Sequence, residues 1–156
     1  MKNITIKTPL GMANITGDDL GVSEITIVDN GEITAEIPSE LQEAATQLRD
    51  YFDGKRTSFT FKTNPKGTAF QQKIWSKLLE IPFGTTISYL ELSKKIGDVK
   101  AIRAVAAANG KNPLWIVLPC HRVIGSDGSL TGYAGGLWRK KWLLEHENPS
   151  EQQSLF

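Results

Sequence analysis

Apolar and polar side chains alternate along three short segments near the start of the chain. These segments are Asn3–Thr8, Val22–Val28 and Ile33–Ile37. A period of two residues is typical of strands that bury one face. Asp29-Asn30-Gly31 is a turn sequence between the second and third segments. The pattern predicts a small antiparallel sheet.

The spacing of apolar residues then changes to that of a helix. Ser39–Gln42 has the sequence of a capping box, which predicts a helix start, and Gly54 predicts its end. A further strand is predicted over Thr57–Lys62, followed by a linker at 63–67. No catalytic motif occurs in 1–65, so we expect an α/β support domain there. The apolar positions of the helix are Leu41, Ala45, Leu48 and Phe52.

The second half of the chain has a helical pattern. Capping boxes at Thr68–Gln71 and Ser88–Glu91 predict two helix starts, and Ile81–Gly84 separates them. The second of these helices is expected to end at Gly97, and another follows over Lys100–Asn109. Two short helices joined by a glycine-containing turn are a helix-turn-helix candidate. The expected apolar face of the helix that begins after Thr68 is Phe70, Ile74 and Leu78.

The helix over Lys100–Asn109 has few side chains able to read base edges in a major groove. Its alanines allow close backbone approach, and Arg103 is the single long polar group on it besides Lys100. This combination suits a minor-groove surface that tolerates any sequence. A tightly packed core helix is the alternative, because alanine is also the best helix former.

Charge is divided unequally along the chain. Residues 1–65 carry six Lys/Arg and ten Asp/Glu, whereas residues 66–147 carry twelve and six. The split favours a phosphate-binding second half, although the net charge of the whole chain is only +1. Met1–Gly11 has no signal-peptide pattern, and no apolar run is long enough to span a bilayer. We expect a cytoplasmic protein, associated with the nucleoid in a bacterium.

Cys120 is the only cysteine, so an internal disulfide is excluded. One Cys and two His make a zinc site unfavourable, and we expect no metal. The thiol is then either a buried, inert group or a nucleophile. The apolar run Leu114–Leu118 leads to Pro119, which ends strand pairing before the thiol. His121 and Arg122 follow, and both groups are expected to favour the thiolate.

The segment Asn112–Ile124, with its Pro-Cys-His-Arg-Val core, resembles the active-site segment of the methylated-DNA–protein-cysteine methyltransferases, which remove alkyl groups from the O6 atom of guanine. The resemblance extends from Gly67 to Glu147. It implies an α+β fold: a ribonuclease-H-like α/β domain over 1–65, then a winged helix-turn-helix-like domain over 66–148 that binds DNA and carries the alkyl acceptor, and a tail over 149–156.

The family's catalytic roles transfer to five positions of this sequence. The resemblance implies a relay from Cys120 through a water to His121 and on to Glu147, which closes the Leu-Leu-x-His-Glu motif. It also implies that Tyr89 protonates the departing purine and that Asn112 shapes the active-site turn. Glu147 as an ordinary helix-terminal charge is the alternative.

Base flipping is expected because the O6 atom lies inside the base pair. The resemblance implies that Arg103 fills the gap left by the flipped nucleotide. The predicted DNA contacts are Tyr89, Ala101, Arg103, Ala104 and Ser126. The predicted pocket residues are Trp115, Val123, Tyr133, Ala134 and Gly135.

The implied activity is a stoichiometric, irreversible methyltransferase reaction on double-stranded DNA containing alkylated guanine, with O4-alkylthymine as a further candidate substrate. No cofactor is expected, and the protein is expected to act as a monomer. Three other classes remain: a Cys–His hydrolase, a winged-helix DNA-binding regulator, and an alkyl-lesion-binding protein that performs no transfer. The last class lacks the cysteine in this motif.

The end of the chain has a second resemblance. Gln152-Gln153-Ser154-Leu155-Phe156 is similar to the clamp-binding peptide of bacterial replication and repair proteins, in which Gln leads and Leu-Phe closes. Gln153 departs from that motif, which usually has Leu there. A bacterial sliding clamp is therefore a candidate partner through Gln152, Leu155 and Phe156, and a tail without function is the alternative.

Overall fold

The computed structural model describes residues 1–149, and the first three strands form its larger sheet. The strands are β1 (Lys2–Thr8), β2 (Gly11–Asp18), β3 (Gly21–Val28), β4 (Ile87–Ser88) and β5 (Val123–Ile124). The helices are α1 (Ser39–Phe52), α2 (Ala69–Leu78), α3 (Tyr89–Lys95), α4 (Ile102–Gly110) and α5 (Leu137–Glu147), with 3₁₀ turns at Val99–Ala101 and Cys120–Arg122.

The chain forms two compact units, and the first contains the β1-β2-β3 sheet and α1. The strands are antiparallel, with Ile4 opposite Ile15 and Ile15 opposite Ile25. These isoleucines lie on one face of the sheet because successive side chains point to opposite faces. All three are buried, and α1 packs on this sheet. The first core is therefore a sheet face covered by one amphipathic helix.

The predicted strands β1 and β3 are confirmed, but the other strand predictions are wrong. Ile33–Ile37 forms no strand, and only Thr34 pairs with β1, through hydrogen bonds to Thr5. Thr57–Lys62 is likewise irregular and leads only to an isolated bridge between Val22 and Thr63. The third strand of the sheet is β2 instead. Its alternation of apolar and polar residues is weak in the sequence, because two of its three buried positions are Ala13 and Gly17. The hairpins close before Gly11 and Gly21, so the turn sequence Asp29-Asn30-Gly31 joins no two strands.

Helix α1 is present where predicted, but its capping box does not form. Pro38 occupies the N-cap position, and Ser39 donates its hydroxyl to the neighbouring carboxylate of Glu40. The amide of Gln42 donates to the carbonyl of Ile37. Gly54 follows the helix with a φ of 77°, as expected for the residue that ends it.

The first unit also includes Pro113–Val117, which the predicted division at residue 65 assigned to the second half. Ile25 donates its N–H to the carbonyl of Pro113 at 2.8 Å, and Trp115 donates to the carbonyl of Ile25 at 3.1 Å. Beyond Leu114 the expected strand becomes a turn, in which Ile116 has a φ of 76°. A β-branched residue in this left-handed region is strained, so tertiary contacts hold the turn.

The second unit comprises Gly67–Asn112 and the chain from Leu118 onward. Both predicted capping boxes form, at Thr68 for α2 and at Ser88 for α3. In α2 the predicted face is correct for Ile74 and Leu78, with Trp75 also buried. Phe70, in the first turn of the helix, is 38% exposed, so the prediction is wrong for this residue.

Helices α3 and α4 pack together as the predicted helix-turn-helix. Gly97, with a φ of 86°, ends the turn after α3, and the chain enters α4 through the 3₁₀ turn Val99–Ala101. The indole N–H of Trp75 donates to the carbonyl of Ala108 at 2.9 Å, which fixes α2 against α4. The α+β prediction is confirmed, with Cys120 in the helical unit. No helix within residues 1–149 is long and apolar enough to cross a membrane.

Candidate active site

Cys120 opens a 3₁₀ turn in the second unit and is only 5% exposed. The amide of Asn112 donates to the carbonyl of Leu118 at 2.6 Å, which fixes the chain just before this turn. Burial raises the pKa of the Cys120 thiol to about 11, although Asn112 and the charge of Lys140 act to lower it. The resting group is therefore a thiol.

The expectation that His121 and Arg122 favour the thiolate is wrong for the resting protein, because the side chains that act to lower the pKa of Cys120 are Asn112 and Lys140, and burial outweighs them. Arg122 is bound to other groups. Its Nη1 donates to the carbonyl of Ile81 at 2.8 Å, and its other nitrogens donate to Glu147. The guanidinium also lies 5.7 Å from the centre of the Phe83 ring. The positive charge of Arg122 is therefore paired with the carboxylate of Glu147 rather than with the thiol.

His121, Arg122 and Glu147 form a buried cluster. Glu147 Oε2 accepts from His121 Nε2 at 2.8 Å and from Arg122 Nη2 at 3.0 Å, while Oε1 accepts from Arg122 Nε at 2.7 Å. His121 is 0% exposed and Glu147 is 6% exposed. The carboxylate therefore fixes the orientation of the imidazole and is itself held by a guanidinium.

The pKa values in this cluster are shifted by burial and by pairing. Burial lowers the pKa of His121 below its usual value, against the opposing effect of Glu147, so the ring is neutral at pH 7. Burial acts to raise the pKa of Glu147, but its bonds and charge interactions with His121 and Arg122 outweigh this and hold it far below the usual range. His121 Nδ1 is buried and makes no hydrogen bond to any residue in 1–149. A neutral imidazole oriented through Nε2 can accept a proton at Nδ1.

Lys140 is a site residue that was not predicted from the sequence. It is 0% exposed, and its Nζ donates to the carbonyls of Val123 at 2.7 Å and Thr131 at 2.8 Å. Burial lowers the pKa of Lys140 to about 8. It lies seven residues before Glu147, two helical turns away on the buried face of α5. This spacing could have indicated from the sequence that Lys140 shares a helix face with Glu147.

A cavity of about 520 Å³ lies between α3, α4 and the loop before α5. Tyr89 borders it, and its hydroxyl donates to the carbonyl of Thr131 at 3.3 Å. Burial raises the pKa of Tyr89, partly offset by hydrogen bonds with Thr131 and Asn109. The lining residues include Tyr89, Arg103, Asn109, Thr131, Tyr133 and Ala134. Asn109 and Thr131 were not expected from the sequence.

The other predicted positions lie outside the lining of this cavity. Ala101 ends the 3₁₀ turn before α4, Ala104 is exposed on α4, and Ser126 is exposed in the turn after β5. Val123 is buried directly after the 3₁₀ turn, and Gly135 accepts from Arg139. Trp115 belongs to the first unit. Within residues 1–149 no cluster of His, Cys, Asp and Glu could hold a metal ion.

These features define a class of α+β protein. It has one buried thiol next to a His–Glu–Arg cluster, and a helix-turn-helix that borders the cavity of about 520 Å³. Family models described as "6-O-methylguanine DNA methyltransferase, ribonuclease-like domain" and "DNA binding domain" match residues 1–65 and 69–149. The chain belongs to the 6-O-methylguanine DNA methyltransferase family.

Named relatives match nearly the whole chain. The methylated-DNA–protein-cysteine methyltransferase of Methanosarcina barkeri is 45% identical over 149 residues, which cover 91% of this chain and 94% of that protein. The protein of the same name from Mycobacterium bovis is 43% identical, with 92% and 90% covered. The crystal structure of Mycobacterium tuberculosis OGT in complex with DNA has a TM-score of 0.84 and 40% identity, covering 97% of this chain and 98% of that chain.

Proposed function

We propose that this protein repairs DNA by transferring an alkyl group from the O6 atom of guanine to Cys120. The single observation that carries the proposal is the buried thiol beside an imidazole that is hydrogen-bonded to a carboxylate. Family membership and a DNA-bound structural neighbour support the same activity. The reaction occurs once per molecule, because a thioether has no good leaving group and Cys120 is the only cysteine.

The transfer balances without a cofactor. The thiol proton of Cys120 moves to His121, through a bridging water because adjacent side chains diverge. The sulfur then forms a bond to the alkyl carbon while the carbon–O6 bond breaks and its electron pair stays on the purine. Tyr89 donates a proton to the departing base and later regains one from solvent, as His121 releases its own. The net change is one proton moved from the thiol to guanine.

Glu147 stabilises the imidazolium form of His121 during this transfer. The geometry supports the assignment because the carboxylate accepts from His121 Nε2 and leaves Nδ1 for the incoming proton. The high resting pKa of Cys120 supports it as well, since a thiol with a pKa of about 11 requires a base.

The flipped base is assigned to the cavity bordered by Tyr89, Tyr133 and Ala134. Arg103, which borders the same cavity from α4, takes the place of the extruded nucleotide in the duplex. Asn112 positions the thiol through its bond to Leu118. The residues assigned to the DNA surface are Ala101, Ala104 and Ser126. Val123 and Gly135 are assigned to the support of the pocket. Trp115 lies in the first unit, and this position does not support its predicted role in the pocket.

The test is intact-mass spectrometry after mixing the protein with a duplex that contains one O6-methylguanine. The expected result is a mass gain of a single methyl, located on Cys120 by peptide mapping, with no second turnover. Cys120→Ser should bind the duplex and gain no mass. Unchanged mass with retained binding would instead identify a lesion-binding protein, and repeated turnover on esters or peptides would identify a hydrolase.

The same assay with an O4-methylthymine duplex tests the wider substrate range. We infer a monomer, because the residues assigned to transfer all lie in one unit of one chain. Light scattering with and without duplex DNA should give the mass of a single copy.

Gln152, Leu155 and Phe156 lie outside the described residues. From the sequence alone, we propose that they bind a bacterial sliding clamp, which would bring repair to newly replicated DNA at the nucleoid. Two adjacent apolar side chains can anchor an extended peptide in a preformed pocket. Titration of the peptide 149–156 against a bacterial clamp tests this, with a Leu155→Ala/Phe156→Ala peptide as control. No binding at millimolar peptide, or binding that survives the double substitution, contradicts it.

A further inference from the structure

Asn109 is a polar residue in the core of the second unit that the relay from Cys120 to Glu147 does not use. It lies near the end of α4, is only 3% exposed, and borders the cavity assigned to the flipped base. Its Oδ1 is buried and accepts no hydrogen bond from residues 1–149. A buried acceptor without a donor lowers stability, so an apolar side chain of similar size would be the better choice for packing alone. The amide is therefore explained by what its nitrogen does.

The Nδ2 group of Asn109 connects two parts of the site. It donates to the carbonyl of Cys120 at 3.4 Å. The Asn109 side chain also borders the same cavity as Tyr89. Its interaction with the Tyr89 hydroxyl and the bond to Thr131 both act to lower the pKa of Tyr89, against burial, which raises it more strongly. An amide NH₂ has two N–H donors, so both interactions of Asn109 can exist together. A bond donated to a phenol oxygen makes its own proton more acidic.

The proton of Tyr89 has a defined resting partner. The hydroxyl donates to the carbonyl of Thr131, and that carbonyl also accepts from Lys140 Nζ at 2.8 Å. When the hydroxyl turns from Thr131 to a bound base, this carbonyl retains Lys140 as a donor. The change of partner therefore leaves no buried carbonyl without a hydrogen bond.

We infer that Asn109 is a positioning residue for transfer: it holds the Tyr89 oxygen beside the Cys120 carbonyl and aims the phenol proton at the departing purine. This inference rests on the proposed alkyl transfer. The purine leaves with an electron pair and accepts the proton from Tyr89, while Asn109 keeps donating to the phenol oxygen and stabilises its anionic form. No other reactant is needed.

The test is a double-mutant cycle with single-turnover rates on an O6-methylguanine duplex. Asn109→Leu removes both donors and should slow transfer about tenfold or more. In a Tyr89→Phe background the same change should slow transfer less than about twofold, since no hydroxyl remains to be held. Val105→Ala, a packing change on the buried face of α4, is the matched control. It should reduce thermal stability, and its effect on the transfer rate should be the same with and without the Tyr89→Phe substitution.

A second electrophile separates positioning from general damage to the thiol. Iodide needs no proton as it leaves, so Asn109→Leu should react with iodomethane at the wild-type rate. Equal slowing with iodomethane, or equal slowing with and without the Tyr89→Phe substitution, would overturn the inference. Asn109→Ala, which loses the donor and adds no charge, provides the same comparison if the leucine variant does not fold. Failure of the wild-type protein to gain a methyl would count against the proposed function, whereas wild-type rates in Asn109→Leu would count against this inference alone.

Discussion

Arg122 and Glu147 form a two-point ion pair, with 2.7 Å between Nε and Oε1 and 3.0 Å between Nη2 and Oε2. The pair is buried, and the same carboxylate orients His121. Two parallel bonds fix the plane of the carboxylate as well as its position. The guanidinium next to the cysteine in sequence thus binds Glu147, the last residue of the proposed proton relay.

Arg122→Lys should weaken this pair, because an ammonium cannot make both bonds to Glu147 and the bond to Ile81. We expect a loss of about 1–3 kcal/mol in the free energy of unfolding and a slower transfer rate. Urea unfolding measures the first and single-turnover kinetics the second. Arg49→Lys, at an exposed position of α1, should change neither.

Glu147→Gln should slow alkyl transfer much more than it weakens DNA binding. The amide no longer stabilises an imidazolium, so we expect a rate loss of about a hundredfold. Quenched-flow transfer measures the rate, and fluorescence anisotropy in a Cys120→Ser background measures binding. Glu145→Gln is the matched control, because this residue lies on the same helix and pairs with Lys141 at 3.9 Å rather than with the imidazole. Similar losses of binding and rate would contradict the relay.

The transfer rate should depend on pH through His121. Its lowered pKa means that the ring stays neutral as the pH falls to about 6.5, the usual histidine value, and takes up a proton only below it. The rate should therefore stay constant down to about pH 6.5 and decline at lower pH. His146→Asn, which removes the only other histidine, should leave this decline unchanged. A decline centred above pH 7 would be inconsistent with His121 as the base.

The free energy of unfolding should also decrease as the pH is lowered. Below about pH 6.5 the unfolded chain protonates His121 while the folded chain does not, so acid favours unfolding. Below about pH 4.3 Glu147 adds to this, because its folded pKa is also lowered and its stabilising charge is lost as the pH falls further. Thermal melting at a series of pH values in His146→Asn isolates the histidine effect.

Arg103→Ala should slow repair in duplex DNA by about tenfold or more, and affect a free alkylated base or a single strand much less. Only the duplex requires a nucleotide to be extruded. Lys100→Ala, at the start of the same helical region, should instead reduce affinity in a salt-dependent manner. Equal slowing by Arg103→Ala on every substrate would show a structural role.

The alkylated protein should be less stable than the fresh protein. Cys120 is 5% exposed, so a methyl group adds volume to a packed site, at a cost of about 1–3 kcal/mol. For a chain of this size the expected decrease in Tm is about 2–10 °C. Cys120→Ser treated with the same DNA should show no change in Tm.

The sequence alone determined the local elements of the second unit. Capping boxes at Thr68 and Ser88 act within four residues, so the starts of α2 and α3 could be read directly. Gly97 could be read in the same way, because its left-handed backbone favours glycine. The lone Cys120 with its flanking residues likewise indicated a reactive thiol and its family.

The remaining features depend on contacts between residues that are far apart in the sequence. The bond between Arg122 and Glu147 joins residues 25 positions apart, and that between Tyr89 and Thr131 joins residues 42 apart. The assignment of Pro113–Val117 to the first unit also depends on pairing with Ile25. Side-chain capping depends on nearby backbone groups, whereas burial and long-range hydrogen bonds depend on which surfaces meet after folding. This difference explains why the helix starts were predictable and why the high pKa of Cys120, which burial produces, was not.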